Sequence, residues 1–142
     1  MEQDFSRKIT IVVNKDLPSW QVLDVVAHIA AYFGNKIIEP FDTGDNFVTK
    51  DKISIPRNSQ FPIIALAANS AEALKNLAQK VRGNEDVESM FFIKEMIETT
   101  DDSELEQSVG EVNESELTYY GIGLFGKSEV VKELTKSFTL WS

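Results

Sequence analysis

The chain has 142 residues, with 14 Lys and Arg against 23 Asp and Glu, a formal charge of −9, no cysteine and a single histidine, His28. That length fits one domain, residues 1–142, able to bury a core without disulfide or metal staples. A chain with no cysteine and one histidine lacks the usual zinc ligand sets, so no metal site is expected. No apolar run reaches the ~18 residues of a membrane span, and the opening Met1-Glu2-Gln3-Asp4 is not the basic-then-apolar start of a signal peptide, which points to the cytoplasm.

The apolar, β-branched run Lys8 to Asn14 predicts a buried first strand. Asp16-Leu17-Pro18-Ser19 then opens a helix, with proline in its first turn. It is expected to run to about Phe33, with Gly34-Asn35 as its stop. Val22, Leu23, Val25, Val26, Ile29, Ala30 and Phe33 make it apolar around most of its circumference, the mark of a largely buried helix. Pro40 to Gln60 reads as loop, with a short edge strand near Ile53–Ile55. Pro62 to Ala68 is the second main strand. Asn69 and Ser70 should cap the next helix, with Glu72 placed for a capping box on Asn69. Leu74, Leu77, Ala78 and Val81 form the inner face of that helix and Gly83 ends it.

The third strand centres on Met90 to Ile93 within Ser89 to Met96. A short helix over Asp101 to Val109, with Leu105 and Val109 turned inward, is stopped by Gly110. Leu117 to Phe125 is the fourth strand, and Ser128 to Lys136 the last helix. Phe138 to Trp141 is either a short closing strand or a docked tail. Strands that alternate with helices argue an α/β layered domain.

The charge excess is local. Between Glu95 and Gly126 there are nine acids and no Lys or Arg, while the remainder holds fourteen of each sign. The acidic segment 95–116 would repel nucleic acid and anionic membranes. It reads as a solvated face ahead of an acidic recognition surface.

Trp20, Asp24, His28 and Tyr32, each four residues from the last, share one helix face. Asp24 could orient His28 as a general acid or base near neutral pH, which makes this pair the candidate catalytic residues. The stripe begins where the first strand ends, and ligands of open α/β sheets bind at the carboxyl ends of strands. Lys15, Asp16, Trp20 and Tyr32 are therefore candidate ligand contacts. The plainer alternative is a helix face that meets solvent or a neighbouring element.

Gly121 to Ser128 (Gly-Ile-Gly-Leu-Phe-Gly-Lys-Ser) fits the phosphate-binding pattern G-x-x-x-x-G-K-[ST], between a strand and a helix. Gly126, Lys127 and Ser128 would then cradle phosphates. Against this, too little chain follows to supply a downstream metal-binding acid, and Ile122, Leu124 and Phe125 extend the strand through the run. The overlapping G-x-G-x-x-G lacks the acid ~20 residues on that a dinucleotide site needs. Asp42-Thr43-Gly44 matches the catalytic triplet of aspartic proteases, but that chemistry needs two such carboxylates, and the turn residues around it favour a loop.

Three stretches, Ile9 to Asn35, Phe61 to Gly83 and Tyr119 to Leu140, together resemble the family called domain of unknown function 2000, which is similar to type 2 peptidyl-tRNA hydrolases. The resemblance implies a three-layer α/β/α fold with a small mixed sheet of about four strands, recasts the Gly-Lys-Ser run as strand, turn and helix, and allows a homodimer. His28 matches the helix histidine of those hydrolases. Their Gly-Lys-rich turn is replaced here by Pro18-Ser19-Trp20-Gln21, and the acidic segment stands where they carry Asp-Ala-Gly-x-Thr-Gln. The expectation is the fold without the reaction: a module, needing no cofactor, that binds a small molecule or a protein and not nucleic acid. The alternatives are a hydrolase using His28 on a peptidyl or small-molecule substrate, and nucleotide binding at Gly126-Lys127-Ser128.

Overall fold

The structure, a computed structural model, describes residues 4–37 and 45–142. The Asp42-Thr43-Gly44 triplet lies outside the described residues. Strand β1 (Arg7–Asn14) is followed by helix α1 (Ser19–Lys36), a two-stranded hairpin β2 (Phe47–Val48) and β3 (Ser54–Ile55), and β4 (Ile63–Ala68). Helix α2 (Ala71–Val81), β5 (Val87–Ile93), the single turn α3 (Glu95–Glu98) and α4 (Asp102–Gly110) come next. A 3-10 turn, Glu114–Glu116, leads into β6 (Tyr119–Lys127), α5 (Ser128–Thr135) and β7 (Thr139–Leu140).

The main sheet has five strands in the order β5-β6-β1-β4-β7, one more than the four expected. The extra strand is the tail: β7 pairs antiparallel with β4 through Leu66–Leu140 and Ala67–Thr139. β1 runs parallel to β4 and antiparallel to β6, and β6 antiparallel to β5, so the sheet is mixed. β1 sits at its centre and is buried on both faces from Ile9 onward, with Ile9, Ile11 and Val13 on one face and Thr10, Val12 and Asn14 on the other. Ile9, Ile11 and Val13 face one core with Val25, Ile29 and Phe33 of α1. Val12 faces the other, with Leu74, Leu77 and Ala78 of α2 and Val131 of α5. The three-layer expectation therefore holds in general form, with a five-stranded mixed sheet. The expected edge strand near Ile53–Ile55 belongs instead to the separate β2–β3 hairpin.

Several local expectations are corrected. Helix α1 passes through Gly34 and Asn35 to Lys36, because Ile37 is buried and its N–H closes on the Phe33 carbonyl at 2.9 Å. The cap of α2 is Ser70, whose Oγ accepts from the Ala73 N–H, so the predicted Asn69–Glu72 box does not form. A capping box forms instead between Asn113 and Glu116. β6 runs two residues further than expected, through Gly126 and Lys127.

Candidate functional site on helix α1

The parallel pair β1 and β4 ends together at Asn14 and Ala68. Asn14 is 9% exposed, and its Oδ1 accepts from the Asp16 N–H at 3.0 Å, while the Lys15 N–H donates to the Ala68 carbonyl at 3.0 Å. This turn holds Lys15 and Asp16 exposed at the carboxyl edge of the sheet and starts α1 at Ser19. The helix then lies over β1, β6 and β5.

Glycines set how closely it lies. A Cβ on Gly121 would run into Val25 and Ile29 of α1, and one on Gly123 into Ile29 and Phe33. Gly126 passes against the Asp86 carbonyl, which a Cβ would approach to 2.9 Å. The glycine spacing that suggested a phosphate loop is thus a packing surface for α1 and β5. The run itself is strand: Gly126 pairs with Lys8 and Lys127 with Arg7 in the ladder with β1. The Ser128 N–H and hydroxyl donate to the carbonyls of Ser6 (2.9 Å) and Phe5 (2.6 Å). A phosphate cradle needs a loop with free N–H groups turned inward, and Gly126-Lys127-Ser128 does not form one.

The predicted stripe stands on the outer side of α1. Asp24 Oδ1 lies 3.5 Å from His28 Nε2, with side-chain exposures of 39% and 63%. The His28 ring tilts over Phe92 of β5 at 5.7 Å between centroids. Tyr32 is half-buried, edge-on to Phe33, and Lys36 Nζ is 6.0 Å from its ring. Trp20 is 60% exposed. No side-chain hydrogen bond among the described residues joins Lys15 or Asp16 to the stripe, so these two share its end of the sheet without being wired to it. Three grooves formed by described residues lie elsewhere: between α2 and α5, beneath α5, and beside Phe61 and Pro62. General acid–base work needs a substrate held within hydrogen-bond reach and sheltered from water, whereas His28 stands out in solvent.

Leu23 departs from the expectation of a largely buried helix: it is 70% exposed. With Trp20, Asp24, Ala27, His28 and Ala31, all outward-facing, it forms an arc that is mostly uncharged. The available signal was charge: between Ser19 and Lys36 only Asp24 and the terminal lysine are formally charged, too few to solvate a free face. On β4, Ile63 and Ala65 point to the same layer as their partners Ile9 and Ile11, yet Ile63 is 48% exposed and Ala65 is also open. The β2–β3 hairpin carries further exposed apolar side chains, Phe47, Val48 and Ile55.

The acidic segment is fastened to α2. Lys75 Nζ donates to the Ser115 carbonyl at 2.6 Å. Arg82 donates to the Tyr119 hydroxyl, which donates to Glu114 Oε1 at 2.7 Å, and Arg82 Nε is 3.5 Å from the same carboxylate. Arg82 also covers the Phe91 ring at 4.4 Å. Burial, then the hydrogen bond to Glu114, pushes the Tyr119 phenol above its ordinary pKa. Among the described residues, no group of three or more His, Cys, Asp or Glu is placed to hold a metal ion, and no helix is long and apolar enough to cross a membrane.

The fold and this surface define a three-layer α/β protein with an exposed apolar and aromatic helix face. Its sequence matches the profile of the family described as protein of unknown function (DUF2000) over residues 7–142, and the chain belongs to that family. Among solved structures it is similar to the protein of unknown function Atu0240 from Agrobacterium tumefaciens str. C58, at 23% identity and a TM-score of 0.79, over 98% of this chain and 100% of that one. None of the curated proteins matches. The likeness to the solved structure is one of fold.

Proposed function

We propose that the chain is a binding module that docks a protein partner on the outward arc of α1, and that it keeps a fold like that of type 2 peptidyl-tRNA hydrolases without their reaction. The observation that carries this reading is Trp20 and Leu23 side by side, 60% and 70% exposed, on the helix whose inner side seals the core. Interface hot spots are rich in Trp and Tyr set among polar groups, and exposed contiguous apolar surface marks interaction sites. Asp24 and His28 supply the polar rim. His28 is then a contact residue whose exposed imidazole can donate and accept hydrogen bonds.

The test is photo-crosslinking in the native cells. A benzophenone amino acid replaces Leu23 in one variant and Glu106 on α4 in a control. The expected result is a discrete adduct from position 23, absent from position 106 and abolished by adding Trp20→Ala. Identical diffuse adducts from both positions, or an adduct indifferent to Trp20→Ala, would overturn the reading. An adduct at twice the chain's mass would identify the partner as a second copy.

A further inference from the structure

The layer opposite α1 holds a groove of its own. It measures ≈ 360 Å³ and lies beneath α5, over β1, β4 and β7. Its rim carries three amines, Lys8 from β1 and Lys132 and Lys136 from α5, and no acid lines it. In a chain of net charge −9 this is a concentration of positive charge against the overall field. On α5, Glu133 pairs with Lys136 at 2.6 Å. The floor is apolar: Leu66, 8% exposed, and beside it Leu140, 70% exposed on the paired strand.

Thr10 also belongs to the floor. It is 1% exposed, and its Oγ1 has no hydrogen-bond partner. A buried hydroxyl without a partner is costly, and native structures rarely keep one without a use. Valine would fill the same volume at no such cost. The amines, the apolar floor with its uncovered leucine and the unsatisfied hydroxyl come from both ends of the chain, and they meet in one place.

We propose that this groove binds a small amphipathic carboxylate, a linear acid with an apolar tail of about six to eight carbons, in the size range ordinary for ligand pockets of this volume. The lysine ammoniums hold the carboxylate and the Thr10 hydroxyl donates to it. The tail lies over Leu66 and covers Leu140. Charge-assisted hydrogen bonds fix the polar end, and burial of the tail supplies the rest. This site is independent of the α1 surface, on the other face of the sheet.

Octanoate is the probe, titrated into the full chain and followed by methyl resonances of Leu66, Leu140 and Val131. Saturable shifts confined to the groove are expected. The paired change Lys8→Gln and Lys132→Gln should weaken binding by about tenfold or more. Thr10→Val should weaken it several-fold while raising the thermal midpoint of the free protein, a combination that a hydroxyl of purely structural use would not give. Trp20→Ala should leave the titration unchanged, so failure here and failure of the α1 reading are separable. Three results would overturn the proposal: octanol binding as tightly as octanoate, acetate or inorganic phosphate giving the same shifts at the same concentrations, or Thr10→Val leaving the affinity untouched.

Discussion

On one side of the sheet, α2 and α5 turn Leu74, Leu77, Ala78 and Val131 inward and leave lysines, glutamates and asparagine outside. On the other side α1 buries Val25, Ile29 and Phe33, yet keeps Trp20, Leu23, Ala27 and Ala31 in the open. The first layer is held by side chains that are present, in the ordinary amphipathic way. The second depends as much on side chains that are absent, because Gly121 and Gly123 let α1 settle directly on β6. A helix that is polar outside is finished once packed. One that is apolar on both sides has an unfinished face, and that is the physical ground for placing a partner there.

The largest effect expected from breaking this comparison lies in the conventional layer. Leu77→Ala removes a side chain that is 2% exposed at the centre of the α2 core, and should cost about 2–5 kcal/mol by transfer and cavity terms. Chemical denaturation followed by circular dichroism measures it. In the α1 layer the corresponding change adds an atom. Gly123→Ala forces a methyl against Ile29 and Phe33, and overpacking of that kind costs about 1–3 kcal/mol. If Gly123→Ala were neutral, the close approach of α1 would not depend on the glycine, and the explanation offered for the Gly-x-Gly spacing would fail.

That spacing also shows what the sequence could and could not disclose. The β1, β4 and β6 runs were legible because buried strands write continuous apolar stretches, and α2 because its polar and apolar sides alternate cleanly. A glycine pattern, by contrast, records only that something comes close: a phosphate and a helix leave the same mark, and only the ladder of Gly126 and Lys127 with Lys8 and Arg7 separates them. The exposure of Leu23 is not legible in the sequence, because apolar residues surround α1 and periodicity alone does not say which side faces the sheet. Asp24 and His28 were correctly placed on one face, since a spacing of four is a property of the helix itself. The lysine groove was invisible, because Lys8, Thr10 and Lys132 meet only through the return of α5 across β1.

A smaller effect should come from the clamp on the acidic segment. Tyr119→Phe keeps the ring, 1% exposed, against Phe91 but deletes the hydroxyl between Arg82 and Glu114. Both charged partners retain access to water, so the loss at neutral pH should be about 0.5–1.5 kcal/mol. The pH dependence carries a sharper signature. The folded-state phenol titrates above its ordinary value, so the native state holds its proton where the unfolded chain has released it. The contribution is complete below the unfolded pKa of ~10 and is lost as pH rises through the higher folded value. The wild type should therefore lose stability above about pH 10 more steeply than Tyr119→Phe. Denaturation midpoints between pH 9 and 11 test this, and parallel curves would remove Tyr119 as the cause.

The smallest expected change in stability is the most informative about function. Trp20→Ala and Leu23→Ser alter two of the more exposed apolar side chains, and neither belongs to either core. Exposed substitutions away from structural features usually stay within ±0.5 kcal/mol, so the free protein should melt almost as the wild type does. For a large aromatic and a leucine, a near-zero effect means that the fold makes little use of them. Leu23→Ser should also raise solubility by shrinking the apolar arc. A loss of more than about 1 kcal/mol in the isolated chain would show instead that these side chains support α1 itself, and the contrast between a finished and an unfinished helix face would collapse.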